Sequence, residues 1–106
     1  MAEDGKWVEV AARSALDEGA MIGVEIGDLS IALYNVDGEI YATDNICTHA
    51  FAVLTDGYLD GDIIECPLHG GCFKVQTGEG QGSPIIDNIK TYPVRIVGDA
   101  IEVKVE

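Results

Sequence analysis

The sequence predicts an all-β domain, an antiparallel framework carrying one loop-built insert. Three observations carry that expectation. Short apolar and β-branched runs recur with turn signals between them, and no long stretch holds a 3.6-residue period. Seven of the 13 glycines crowd between Gly57 and Gly82, within the middle of the chain, about 45–85, that holds all three cysteines and both histidines. Glycine at that density marks backbone that bends tightly or approaches something closely.

Taken in order, strands are expected over residues 7–10, 22–26, 30–34, 40–43, 63–65, 73–75, 91–97 and 101–105. Two-residue turn pairs join several of them: Gly27-Asp28 the second and third, Asp37-Gly38 the third and fourth, Gly98-Asp99 the last two. The last two runs alternate, with Val94, Ile96, Ile101, Val103 and Val105 on one face and Arg95, Glu102 and Lys104 on the other, so one side of that hairpin is expected to face a core. The sole helical signal is Ser14 followed by barely one turn and a stop at Gly19. It is a connection and not a layer. Residues 1–106 therefore read as one domain, its two ends building the framework and residues about 45–85 inserted as a subdomain.

Composition removes several function classes. Apolar residues make up 47% of the chain, enough for a packed core and too many for a disordered segment. The longest stretch free of Asp, Glu, Lys and Arg runs only over residues 45–55, so no spanning helix is expected. The start, Met-Ala-Glu-Asp-Gly-Lys, is acidic where a secretory signal is basic and then apolar, and a cytoplasmic location is expected. Nineteen acids against six bases give a net charge of -13, which repels nucleic acid and anionic membrane surfaces. Between Arg13 and Lys74 there is no Lys or Arg at all, while Asp17, Glu18, Glu25, Asp28, Asp37, Glu39, Asp44, Asp56, Asp60, Asp62 and Glu65 all lie there. That stretch is a solvated, solubilising surface or a docking face for a basic partner.

Three cysteines are too few, and odd in number, for a secreted disulfide framework. The insert instead reads Cys47-Thr48-His49, sixteen residues, then Cys66-Pro67-Leu68-His69. Each half offers one thiolate and one imidazole from a short loop, as a chain does when it presents ligands to a metal centre. A single zinc on two Cys and two His satisfies the count, yet zinc modules keep like ligands together. A Cys-His nucleophile needs one pair and leaves the other unexplained. A Rieske [2Fe-2S] cluster takes two thiolates on one iron and two imidazoles on the other, so that each loop serves both irons and the mixed order is required. Cys47, His49, Cys66 and His69 are the candidate ligands, with a zinc-stabilised binding or sensor module, docking through its acidic face, as the alternative.

Those loops, with Gly70, Phe73 and Thr77-Gly78 after them, resemble the Rieske ferredoxins of bacterial aromatic-ring-hydroxylating dioxygenase systems, above all the naphthalene and biphenyl ones. The likeness extends to Trp7, to Gly38-Glu-Ile-Tyr-Ala-Thr-Asp44, to Asp56-Gly57 and to Asn88-Ile-Lys-Thr-Tyr-Pro-Val94. The resemblance implies the Rieske iron-sulfur fold of three small antiparallel sheets. It also implies one [2Fe-2S] cluster at the tip of two loops, covered by a third at Gly82-Ser83-Pro84. By the same resemblance the chain is a monomeric electron carrier and no enzyme. It passes one electron from a flavin-dependent NAD(P)H reductase to the Rieske cluster of a terminal oxygenase. Cys47 and Cys66 then hold the buried iron, and His49 and His69 the outer one.

Subclass follows from what is missing. High-potential Rieske proteins carry an extra cysteine in each ligand loop, where this chain has Ala52 and Leu68, and place Ser and Tyr hydroxyls against the cluster, where it has Gly71 and Phe73. Without those donors the reduced cluster is less stabilised and the potential is expected to be low. Thr48 stands where the oxygenases' own Rieske domains carry Arg, and Ala50-Phe51 follows the first ligand His where many of these ferredoxins have Gly. Cys72, Trp7 and Phe73 are expected to be core residues.

Overall fold

The computed structural model describes residues 5–46, 52–67, 71–81 and 88–105. Among them the strands are β1 (Lys6–Ala12), β2 (Met21–Ile26), β3 (Leu29–Val36), β4 (Glu39–Asp44), β5 (Tyr58–Asp60), β6 (Ile63–Glu65), β7 (Cys72–Lys74), β8 (Thr91–Tyr92), β9 (Val94–Val97) and β10 (Ala100–Val105). They pair as three antiparallel sheets, ordered β1-β10-β9, β2-β3-β4-β8 and β5-β6-β7. The turn pairs fall where the sequence puts them. Asp37 and Gly38 both take positive φ, 54° and 91°, the requirement of a type I′ hairpin and the reason Asp-Gly occupies it.

The central strand β3 divides the interior. Its side chains alternate, as a strand's must, and every one from Ile31 to Val36 is buried. Ile31 and Leu33 face a core shared with Ala42, Tyr92, Ile101 and Val103, closed by Leu16. Ala32, Tyr34 and Val36 face a second core with Leu54, Ile64, Cys66, Phe73 and Val75. The central sheet thus lies between the terminal sheet and the small one, and Cys66 belongs to the core beneath the small sheet.

Several expectations change at this level. The 91–97 run is two strands in two sheets, because Pro93 lacks the N–H that would continue either ladder; its carbonyl accepts from the Lys104 amide at 3.0 Å. Ile96 sits opposite Ile101 on the expected face but on an edge strand, where it remains 41% exposed. Ser14 caps no helix. A 3-10 turn at Arg13–Ala15 has no side-chain cap, and Ser14 Oγ donates to Asp99 Oδ2 at 2.7 Å. Trp7 is not core: its register partner is Lys104 of the outward row, and the Arg95 guanidinium lies 4.4 Å from its ring centroid. Strand β5, absent from the expected set, pairs with β6 through a turn at Gly61-Asp62.

Candidate metal centre

Strand β6 delivers Cys66 to the end of the small sheet with no exposed surface, walled by Leu54, Ile64, Phe73 and Val75. Its amide donates to the Gly71 carbonyl at 2.7 Å, which closes the base of the second candidate-ligand segment. Cys47, His49 and His69 lie outside the described residues, as do Phe51, Leu68 and Gly82-Ser83-Pro84. Among the described residues no three His, Cys, Asp or Glu side chains gather as a metal site. What the structure does place is the base of each loop.

The first loop leaves β4 through Asp44, Asn45 and Ile46, and a lone antiparallel bridge joins Ile46 to Val53 across it. Buried Asn45 binds the returning chain three ways: its carbonyl accepts from the Leu54 amide at 2.7 Å, its Oδ1 from the Thr55 amide at 2.9 Å, and its Nδ2 donates to Thr55 Oγ1 at 3.1 Å. The chain on either side of residues 82–87 is held by a bridge between Phe73 and Gly80, by Gln81 N–H to the Cys72 carbonyl at 2.9 Å, and by Gly80 N–H to Asn88 Oδ1 at 3.1 Å, and this is the base of the third segment.

These bases are tied to one another. The Asp44 amide donates to the Lys90 carbonyl at 2.9 Å, joining first and third. Gly57 presses the first against the second so closely that a Cβ there would stand 2.0 Å from the Glu65 carbonyl oxygen, one residue before Cys66. Gly78 does the same against the Ile89 carbonyl, at 2.1 Å and with φ of 80°. Two of the crowded glycines therefore serve close backbone approach around the loop bases.

Other candidates separate cleanly. Phe73 is fully buried opposite Ile64, as expected of a core residue. Cys72 is half-buried on the outer face of the small sheet, directly across from Glu65, and so is not the core residue expected. Burial pushes its thiol pKa up, and the Glu65 charge pushes it further. The Asn45–Thr55 clamp is not among the expected features, because it depends on which chain returns beside Asn45.

A donor set of two thiolates and two imidazoles, one of the thiols sealed on its inner side by apolar side chains, fits a cluster whose charge the protein rather than water must stabilise. The model of the Rieske [2Fe-2S] domain matches residues 6–93. The chain belongs to the Rieske [2Fe-2S] domain family. Its cofactor is accordingly one [2Fe-2S] cluster, and the zinc alternative falls. This Rieske domain is 55% identical over 91 residues to the ferredoxin component of the naphthalene 1,2-dioxygenase system of Pseudomonas putida, covering 86% of this chain and 88% of that one. In structure it is similar to the Sphingomonas yanoikuyae B1 ferredoxin, with a TM-score of 0.90, 41% identity, and 95% and 100% of the two chains covered. It is also similar to a chain in the complex of reduced oxygenase and oxidized ferredoxin in carbazole 1,9a-dioxygenase, at a TM-score of 0.88, 38% identity and 92% of each chain. The all-β architecture of this Rieske domain agrees with those neighbours.

Proposed function

We propose that this chain is the one-electron carrier of an aromatic-ring dioxygenase system, holding its cluster through Cys47, His49, Cys66 and His69, taking electrons from a flavin-dependent NAD(P)H reductase and giving them to a terminal Rieske oxygenase. The observation that carries the reading is the mixed Cys-His order of both loops in a chain so similar to naphthalene dioxygenase ferredoxin. When bound, the cluster supplies a one-electron couple, and the chain itself does no catalysis. The same reading makes residues 1–106 one Rieske domain with its cluster-binding part at about 45–85, working as a monomer in the cytoplasm.

The chain's own residues set access and encounter. The wall of Leu54, Ile64 and Phe73 behind Cys66 excludes water from the inner side. Ile46 and Pro67, each next to a proposed ligand, are exposed and give the approach an apolar rim. Asp56, Asp60 and Glu65 are exposed and supply a negative field for a basic partner. Asp44 and Asp62 differ, since Asp44 accepts from the Tyr92 hydroxyl and Asp62 lies 3.9 Å from Lys74 Nζ. Stopped-flow transfer from the cognate reductase, and to the oxygenase, tests this. Rates fall as salt rises past the concentration where the Debye length drops below about 8 Å, and neutralising Asp56, Asp60 and Glu65 lowers the association rate. A rate flat in salt that collapses on Phe51→Ala would instead make the apolar loop tip the docking surface.

A further inference from the structure

We propose that Asn45 is a positioning residue that sets the first ligand loop against the second, and so tunes the electronic structure of the centre without touching it. The inference rests on the reading of Cys47 and Cys66 as ligands. Asn45 is two residues before Cys47, is only 4% exposed, and spends both side-chain groups on Thr55. Thr55 is two residues before Gly57, whose backbone lies against the Glu65 carbonyl, and Glu65 precedes Cys66. The side-chain amide therefore begins a short, close-packed route from the base of one loop to the base of the other.

A second observation, from a strand far away in sequence, points to the same clamp. Gly23 of β2 has ordinary backbone angles for any residue, yet a Cβ there would stand 2.9 Å from Asn45 Nδ2 and 3.3 Å from Thr55 Oγ1. Glycine at 23 makes room for the clamp rather than for a turn. Each polar group of Asn45 is engaged: its backbone N–H donates to the Ser30 carbonyl at 2.9 Å, its backbone carbonyl accepts from Leu54, and no buried side-chain polar atom among the described residues lacks a partner. A side-chain amide whose oxygen meets a donor and whose nitrogen meets an acceptor holds one orientation.

The test compares wild type with Thr55→Val, which removes the hydroxyl, Thr55→Ser, which keeps it, and Gly23→Ala, which crowds the clamp while deleting no hydrogen-bonding group. Each is purified with its cluster, and three quantities are read: the electron paramagnetic resonance spectrum of the reduced form, the midpoint potential, and the rate of iron loss to a chelator. Thr55→Val and Gly23→Ala are expected to shift the spectrum and potential and to speed iron loss about fivefold, the effect of one lost hydrogen bond, with Thr55→Ser returning all three toward wild type. Spectra, potentials and release rates that match wild type while only the melting temperature falls would overturn the proposal. Should the variants not fold, hydrogen exchange of the wild type decides: amides of Leu54 and Thr55 are expected to be as protected as those of β3, and exchange at the rate of an exposed turn overturns the clamp. Wild-type protein without iron and sulfide would remove the ligand reading itself, a result distinct from unmoved variants on an intact cluster.

Discussion

Tyr34 titrates from inside the core, and removing its hydroxyl converts that titration into a measurable change in stability. The side chain has no exposed surface, and its hydroxyl lies 2.9 Å from Thr43 Oγ1. Thr43 in turn donates its one hydrogen to the Asp44 carbonyl at 2.8 Å, so Tyr34 is the donor and Thr43 the acceptor. Burial pushes the phenol pKa up to about 12, against a smaller downward pull from the Thr43 hydroxyl. The folded state therefore holds a proton that the unfolded state releases from pH 10 upward. Stability is intact below that pH and is lost as pH rises through 12, by about 2.7 kcal/mol in full. Tyr34→Phe keeps the ring and leaves Thr43 donating to Asp44, so at pH 8 it costs only about 1 kcal/mol, or about 4–8 °C in melting temperature. Above the normal tyrosine range the variant has no phenolate to bury. The two stabilities are expected to cross at about pH 10.5–11 and to reverse beyond it. Tyr92, whose pKa is also raised, by burial first and then by its hydrogen bond to Asp44 and the Asp44 charge, is common to both proteins and cancels in the difference. Thermal unfolding followed by circular dichroism from pH 7 to 11.5 checks the crossing. A constant gap across that range would refute the argument that Tyr34 holds its proton.

The midpoint potential near neutral pH is expected toward the low end of the Rieske range of about -150 to +300 mV, with Gly71→Ser and Phe73→Tyr raising it. Protein-film voltammetry reads this, and a wild-type value above about +100 mV would mean that the missing hydroxyls do not set it. Gly57→Ala, which puts a methyl 2.0 Å from the Glu65 carbonyl, is expected to cost about 3 kcal/mol or more, whereas Gly98→Ala, with open space around it and a positive φ of 62°, costs about 1 kcal/mol. Melting temperatures of the two variants check the order, and equal losses would contradict the close approach. Cys72 is expected to react with iodoacetamide at pH 7 more slowly than a free thiol, because burial and Glu65 both disfavour its thiolate. Rates of mass increase measure it.

The framework was legible because its hairpins rest on local chemistry. Asp37-Gly38 turns where both residues can take positive φ, and the alternation of Ile101, Val103 and Val105 names the buried face of β10 without reference to any partner. Features decided by tertiary context were not. Strand β5 is three residues with one inward side chain, too short to show a period, and exists because β6 pairs with it. Trp7 reads as core by its size and lies outward because its register with β10 sets it opposite Lys104. The division at Pro93 is missed when 91–97 is read as one strand, and which sheet each half joins depends on segments distant in sequence. Of the site, the sequence offers the proposed ligand pattern through residue type and spacing, and the structure describes only Cys66 among its four residues. The Asn45 clamp and the tight contacts at Gly57 and Gly78 become visible only when the loop bases are packed together.

The central claim is that both Cys-His loops hold a single cluster that carries one electron. Its most direct test is a reductive titration of the purified protein with iron and acid-labile sulfide measured on the same sample, repeated for His49→Cys and His69→Cys. The account predicts about two irons, two sulfides and one electron per chain, with a reduced-state resonance spectrum that changes in both histidine variants. Stoichiometric zinc without sulfide, or a spectrum indifferent to both histidines, would contradict it.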